Sequence, residues 1–249
     1  MKDSLTLAYL NMFAVLKDLE KLCQVDEEAR RLAQTAVSVG FNVRNGPKAT
    51  LSFGNGACRM TEGNTGRVKL YFTSPAHFNG MIDGLKKPLP YAGLTKLSFL
   101  TRDFVQLTDI LTKYLKAAPE ALQDGQFRVN STKLMFYLVA NALSAVANQD
   151  PIGRVTAQTM PDGVISLEIE GREYARIIVK DHRLTTLPGR AEQPRAYMIF
   201  ADYETARGLF DGSLEAMSCL AAGRLSMKGY VPLIDNLNRV LNRVAVYLG

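Results

Sequence analysis

The 249-residue sequence has no tryptophan, two histidines and three cysteines. Cys23, Cys58 and Cys219 lie far apart, no C-x-x-C occurs, and only His77 and His182 offer imidazole. That inventory argues against a structural zinc site and a disulfide framework and suits a reducing compartment; no metal and no cofactor is expected. Catalytic signatures are missing too: there is no P-loop, no G-x-S-x-G elbow and no H-E-x-x-H. Gly54-Asn-Gly-Ala-Cys-Arg59 starts like a dinucleotide fingerprint but ends in Arg, and nothing places Cys58 beside His77 as nucleophile and base. Basic blocks are lacking as well. The net charge of +6 divides into +4 up to Asp124 and +2 beyond it, so no nucleic-acid partner is expected. The apolar run from Leu5 to Leu16 is interrupted by Asn11 and is too short to span a bilayer. It reads as an amphipathic helix docked on the body, not a leader peptide.

What is present is an ordinary globular composition, 47% hydrophobic and 22% charged, and an internal repeat. The segment from Arg67 to Gly84 matches that from Arg195 to Gly212. Phe72 and Phe200, Gly80 and Gly208, Asp83 and Asp211, and Gly84 and Gly212 are each 128 positions apart (200 − 72 = 128). Both segments read as an alternating strand, an N-cap at Ser74 or Asp202, a short helix, and a glycine that stops it. Upstream, pairing Asn45-Gly46 with Asp162-Gly163 and Gly54 with Gly171 gives a different separation of 117. The surplus of 11 residues is then expected in a loop over residues 183–194 (128 − 117 = 11).

In the second copy the pattern predicts a helix over residues 131–147, with Asn130 as its N-cap. Strands follow over 154–160, 164–170, 173–180 and 195–201, then a strand within 223–229 and a helix opened by Pro232. Helices over 26–40 and 101–116 are the expected counterparts in the first copy. A linker over 117–126 separates a domain at 1–120 from one at 127–249.

From Phe200 to Leu248 the sequence resembles the sterol carrier protein type 2 family of lipid-binding domains. The resemblance rests on Phe210-Asp-Gly-Ser, then Met217-Ser-Cys-Leu-Ala-Ala-Gly223, then Arg224-Leu-Ser-Met-Lys-Gly229 and the apolar terminal helix. Through the repeat it extends more faintly to the first copy, which departs from it by having Leu97-Ser-Phe-Leu-Thr-Arg where Lys-Gly is expected. The resemblance implies an α+β fold of two tandem domains, each a mostly antiparallel five-stranded sheet with helices on one face. It also implies non-catalytic binding of a fatty acid, acyl-CoA or other lipid in an apolar cavity. The candidate lining is Phe200, Leu209, Phe210, Met217, Leu220, Leu225, Met227, Leu233 and Leu237, with Arg172 and Arg176 as candidate head-group contacts. The rival expectation is an interaction or oligomerisation module with filled cavities, accessory to an enzyme or a membrane process. Homodimerisation and peripheral membrane contact, for instance through Lys86-Lys87-Pro88, fit either. The ending Tyr247-Leu248-Gly249 is not a peroxisomal signal, so the expected location is the cytoplasm.

Overall fold

The computed structural model describes residues 2–93 and 98–249. The chain divides into two compact units, Lys2–Gln123 and Asp124–Gly249. Both are α+β, and both contain a five-stranded mixed sheet.

The second unit begins with α6 (Gly125–Gln149), capped by Asp124, and α7 (Pro151–Thr159). Strands β6 (Gly163–Ile169), β7 (Glu173–Lys180) and β8 (Arg183–Pro188) form a meander, followed by β9 (Ala196–Phe200). Next come α8 (Tyr203–Phe210), α9 (Ala216–Ala221), β10 (Leu225–Gly229) and α10 (Val231–Leu248). The sheet order is β10-β9-β6-β7-β8, with β6 and β9 parallel and the other pairs antiparallel. Alternation along the strands buries Ile165, Leu167, Ile169, Ala175, Ile177 and Val179 on the face covered by helices.

In the first unit α1 (Ser4–Leu10), a π turn (Asn11–Val15), a 3-10 turn (Leu16–Asp18) and α2 (Leu19–Val25) form one irregular helical segment before α3 (Glu27–Leu32). Then come β1 (Val37–Val43), β2 (Lys48–Gly54), β3 (Ala57–Glu62), β4 (Val68–Phe72), α4 (Pro75–Ile82), β5 (Leu89–Ala92) and α5 (Phe104–Leu115). The sheet order β3-β2-β1-β4-β5 reproduces the second sheet strand for strand. The N-terminal apolar stretch is therefore the counterpart of α6, and its Ala8, Leu10, Met12, Ala14 and Leu16 are buried.

The structure corrects the upstream alignment. Val39 pairs with Val68 as Ile165 pairs with Ala196, which separates β1 from β6 by 126 positions (165 − 39 = 126), not 117. At that separation the left-handed residues coincide: Asn45 with Gly171, Asn55-Gly56 with Asp181-His182, and Gly63 with Gly189. Gly46 and Gly163 are not equivalent, since Gly163 opens β6. The two copies differ by only 2 residues in the loop before β4 and β9 (128 − 126 = 2), and residues 183–188, expected as loop, form edge strand β8.

Two helix–strand assignments also change. Residues 151–159 form α7, because Asp150 caps and Pro151 opens a helix there. The expected helix over 26–40 stops at Leu32 and its end becomes β1, whose Val37, Val39, Phe41 and Val43 alternate inward. Helix α6 starts before Asn130, which lies buried inside it and is not its cap.

Both sheets carry a strap on the face away from the helices, because the chain must cross from edge strand β3 or β8 to reach β4 or β9. Thr65 N donates to Thr50 Oγ1 (2.9 Å) and Thr50 Oγ1 donates to Gly63 O (2.7 Å). The strap lies so close to β1 that a Cβ at Gly66 would stand 2.8 Å from Val39 C and 2.9 Å from Gly40 Cα, so glycine is required there. In the second unit Arg176 Nη1 donates to Arg190 O at the matching place (3.1 Å).

The first copy also keeps the glycine that ends the last strand. Gly93 and Gly229 both have positive φ. A Cβ on either would meet the backbone carbonyl of Arg67 or Arg195, with Val68 Cα or Ala196 Cα at 2.7 and 2.9 Å. The strand counterpart is thus Leu89–Ala92, closer to α4 than expected, because the first copy has no α9. Leu97 lies outside the described residues, and Phe99–Asp103 forms a π turn leading into α5.

Candidate functional site

The residues of the expected apolar lining lie on β9, α8, α9, β10 and α10 of the second unit, spread from the Phe200 end of the β9–β10 ladder to Leu233 beside Gly163 at the other. Phe200 ends β9 and faces Leu225 on β10, and Met198 faces Met227 in the same ladder. The Phe210 ring on α8 meets the Phe200 ring edge-on, with centroids 5.3 Å apart. Leu233 and Leu237 on α10 are fully buried, and α10 packs on both β9 and β10. Met227 is half-buried, its sulfur accepting from Asn238 Nδ2 at 3.6 Å. Leu209 and Leu220 are half-buried at the rim. Met217 does not join them: it stands 69% exposed on α9, where only Cys219 is buried.

The two candidate head-group arginines are not brought to this layer. Arg176 alternates onto the strap face of the sheet, where its Nε is buried without a hydrogen-bond partner. Arg172 lies in the β6–β7 turn with its guanidinium 5.2 Å from the Tyr203 ring centroid.

Sequence reasoning missed two polar clusters in this unit. In the first, Asp150 Oδ1 caps α7 by accepting from Ile152 N (3.0 Å) and Gly153 N (2.8 Å). Arg243 of α10 donates through Nε to Oδ1 (3.1 Å) and through Nη2 to Oδ2 (2.6 Å), and Tyr247 Oη donates to Oδ2 (2.7 Å). Burial acts to raise the Asp150 carboxyl, but the hydrogen bonds from Arg243, Tyr247 and Gly153 outweigh it and hold the pKa down to about 2. The first unit has the simpler version. Asp26 caps α3 by accepting from Ala29 N (2.8 Å), and Tyr114 of α5 donates to its other oxygen (3.0 Å). This shared tyrosine pairs α5 with α10 at a separation of 133 (247 − 114 = 133) and puts Ile110 where Arg243 stands.

In the second cluster, Glu173 at the start of β7 is buried. It accepts from Tyr137 Oη (2.9 Å) and Tyr203 Oη (3.1 Å) and lies 3.4 Å from Lys133 Nζ. Burial and then the Glu173 charge push both phenols well above the ordinary tyrosine range, so they act as hydrogen-bond donors and not as bases.

The residues considered for nucleophilic chemistry do not converge. Cys58 is buried on edge strand β3, and burial pushes its thiol far up; Cys23, also buried, is raised to about 11. His77 lies on α4, beyond β4. Its Nδ1 accepts from Thr73 N (3.2 Å), which leaves Nε2 to donate to Lys87 O (2.9 Å). A shallow depression of about 410 Å³ opens beside it, lined by Thr73, Ser74, Ala76, His77 and Lys86. Among the described residues no cluster of metal-ligating side chains occurs, and no helix is long and apolar enough to cross a membrane.

The larger contrast between the units lies in their cores. The first is filled by phenylalanines. Phe41 lies within 6.4 Å, centroid to centroid, of Phe72, Phe78 and Phe104, and Phe53 meets Phe99 and Phe104. At the equivalent buried positions the second unit has smaller residues. Phe41 becomes Leu167, Phe53 Val179, Phe78 Ala206, Phe104 Leu237, Leu107 Val240 and Leu111 Val244. Exchanges in the other direction, Val39 to Ile165, Val43 to Ile169 and Cys58 to Leu184, together with Phe136 on α6, restore part of that bulk.

No family model and no curated protein matches the chain. Solved structures do. It is similar to a structure described as UbiJ-SCP2 ubiquinone synthesis protein, at 14% identity over 44% of this chain and 93% of that one, with a TM-score of 0.34. The sterol carrier protein domain 2 of Helicoverpa armigera matches at 15% identity, over 45% and 89% of the two chains, with a TM-score of 0.37. Palmitated SCP2L2 from Aedes aegypti matches at 19% identity, over 41% and 90%, with a TM-score of 0.32. Each of these sterol carrier protein 2 structures is covered almost whole by less than half of this chain.

Proposed function

We propose that the second unit binds an apolar or amphipathic small molecule of lipid type between its helices and its sheet, without performing chemistry on it. The observation that carries this reading is the systematic reduction in size at matched core positions, from Phe41, Phe53, Phe78 and Phe104 to Leu167, Val179, Ala206 and Leu237. On one scaffold, the first copy fills the space between helices and sheet with aromatic rings, and the smaller side chains of the second favour a ligand in that place. The half-buried Leu209, Phe210, Leu220 and Met227 at its rim supply an apolar entrance. Methionine suits such a position because it adapts to ligands of varied shape. A buried methylene contributes about 0.8 kcal/mol, so a 16-carbon chain supplies roughly 12 kcal/mol of gross drive. After ordering costs, an affinity in the micromolar range is attainable. The resemblance of the second copy to sterol carrier domains points the same way.

The test returns the first copy's residues to the second. The double variant Ala206→Phe, Leu237→Phe is expected to fold, to keep or gain stability, and to lose uptake of a fluorescent fatty acid that the parent protein binds. If the second core is already filled, the parent takes up no lipid. The variant is then destabilised by about 1–3 kcal/mol per added ring. A filled core would favour the interaction-module reading, to which Met217, Tyr230 and Val231 lend support by standing 69%, 41% and 60% exposed. Native mass spectrometry of the purified protein separates a bound lipid from a second protein chain.

A further inference from the structure

The first unit presents an apolar and basic surface that neither its core nor the proposed lipid site uses. Leu85 is 79% exposed, Leu89 49% and Tyr91 52%, and the exposed Lys86 and Lys87 lie between them in sequence. The exposure is not a product of fraying. Leu85 N and Lys86 N both donate to Gly80 O (2.8 and 2.9 Å), and Lys87 O accepts from the His77 ring. Tyr91 Oη accepts from Asn64 Nδ2 at 2.8 Å, which fixes the ring at the sheet edge. A leucine held out by a hydrogen-bonded turn, flanked by lysines and followed by an anchored tyrosine, matches the chemistry of a bilayer interface. There apolar side chains enter the acyl boundary, tyrosine sits at headgroup level and lysines meet phosphates.

We infer that the segment from Leu85 to Tyr91 docks the first unit on an anionic lipid surface. Charge supports this occupant: Lys2–Gln123 holds 16 basic and 11 acidic residues, whereas Asp124–Gly249 holds 14 and 13. A second copy of the chain fits poorly. Two-fold pairing with its axis through this segment would set Lys86 and Lys87 against their own counterparts, and Pro90 interrupts the donor row of the exposed edge strand. The inference does not depend on lipid binding by the second unit.

The experiment is flotation of the whole protein with vesicles of phosphatidylcholine alone or containing phosphatidylserine. Binding is expected on the anionic vesicles, with loss in high salt. Lys86→Glu with Lys87→Glu is expected to reduce it roughly ten-fold or more, and Leu85→Asn to reduce it severalfold. Unchanged circular dichroism and thermal melting establish that the variants are folded, while fatty-acid uptake, read separately, reports on the second unit. Equal flotation with both vesicle types, or undiminished flotation of the lysine variant, overturns the inference. So does a dimer in sedimentation that Leu85→Asn dissolves.

Discussion

Replacing Asp150 by Asn leaves a side chain that still caps α7 but removes the charge on which Arg243 and Tyr247 converge. The parent carboxylate is fully buried, receives two backbone N–H groups, and is gripped by Arg243 at 2.6 and 3.1 Å. Its folded pKa of about 2 lies below the value near 3.9 expected in an unfolded chain. A depressed carboxylate pKa contributes stability that is complete above the unfolded value and disappears as pH falls through the folded one. This contribution is therefore full above about pH 5 and lost toward pH 2, and it amounts to about 2 kcal/mol. The Asn amide also turns an NH₂ group toward donors, and a mismatched buried hydrogen bond costs a further 1–3 kcal/mol or so. Asp150→Asn should then destabilise the second unit by about 3–5 kcal/mol at pH 7 and by about 1–2 kcal/mol less near pH 2.5. Urea unfolding at pH 7, 5 and 3 measures the difference, with hydrogen exchange at the α7 amides assigning it to this unit. A gap between parent and variant that stays constant across that pH range would refute the reasoning, because the charge would then contribute nothing to the difference.

Gly229→Ala should cost about 2 kcal/mol or more in a melting experiment, since it combines a left-handed backbone with a Cβ forced onto the Arg195 carbonyl. Gly93→Ala should cost a similar amount, and a clear difference in tolerance would break the structural equivalence of the two glycines. Tyr137→Phe should destabilise the second unit by about 1–2 kcal/mol, because it takes one of two phenolic donors from the buried Glu173. An unchanged denaturation midpoint would show that Lys133 and Tyr203 satisfy this carboxylate unaided.

Local rules made much of the second copy legible. The alternation in residues 164–170 and 173–180, the Asp202 cap and the stripe of Leu233, Leu237, Val240 and Val244 all stand in the structure. Failures came where two local signals competed. Residues 151–159 contain Val155 and Thr156, which favour strands, but Asp150-Pro151 is a helix start that fixes the outcome once its carboxylate gains Arg243 and Tyr247 from a distant helix. The misaligned repeat has a related cause. Asn45-Gly46 and Asp162-Gly163 are equal turn signals in sequence, yet only the first joins two strands, and the true partner of Asn45 is a lone glycine, Gly171. The helical segments that precede Asp26 and Asp150, 124 positions apart, are hard to match in sequence because the first, unlike α6, contains a π turn around the buried Asn11, which breaks its period. Of the expected apolar residues, Met217 and Leu220 fall on α9, a helix the first copy lacks, so the repeat gave no guide to their burial and Met217 points to solvent. The Glu173 cluster was not legible, since its members come from α6, β7 and α8.

The two polar clusters and the smaller core belong to the same copy, and one physical argument joins them. A core built from Leu167, Val179, Ala206 and Leu237 loses the dispersion contacts that Phe41, Phe53, Phe78 and Phe104 make in the first unit. Something else must hold the helices on the sheet. Asp150 ties the junction of α6 and α7 to α10, while Glu173 ties the earlier part of α6 to β7 and α8. The first unit has Pro47 and Pro75 where the second has Glu173 and Tyr203, and Ile110 where it has Arg243, so it cannot build either charged cluster. Buried ion pairs seldom stabilise more than well-packed apolar residues of the same volume. Their advantage is that they fix geometry at the periphery without filling the middle. On the proposed lipid-binding reading, the second unit would be a frame held by these two clusters, with the space between sheet and helices kept for a ligand.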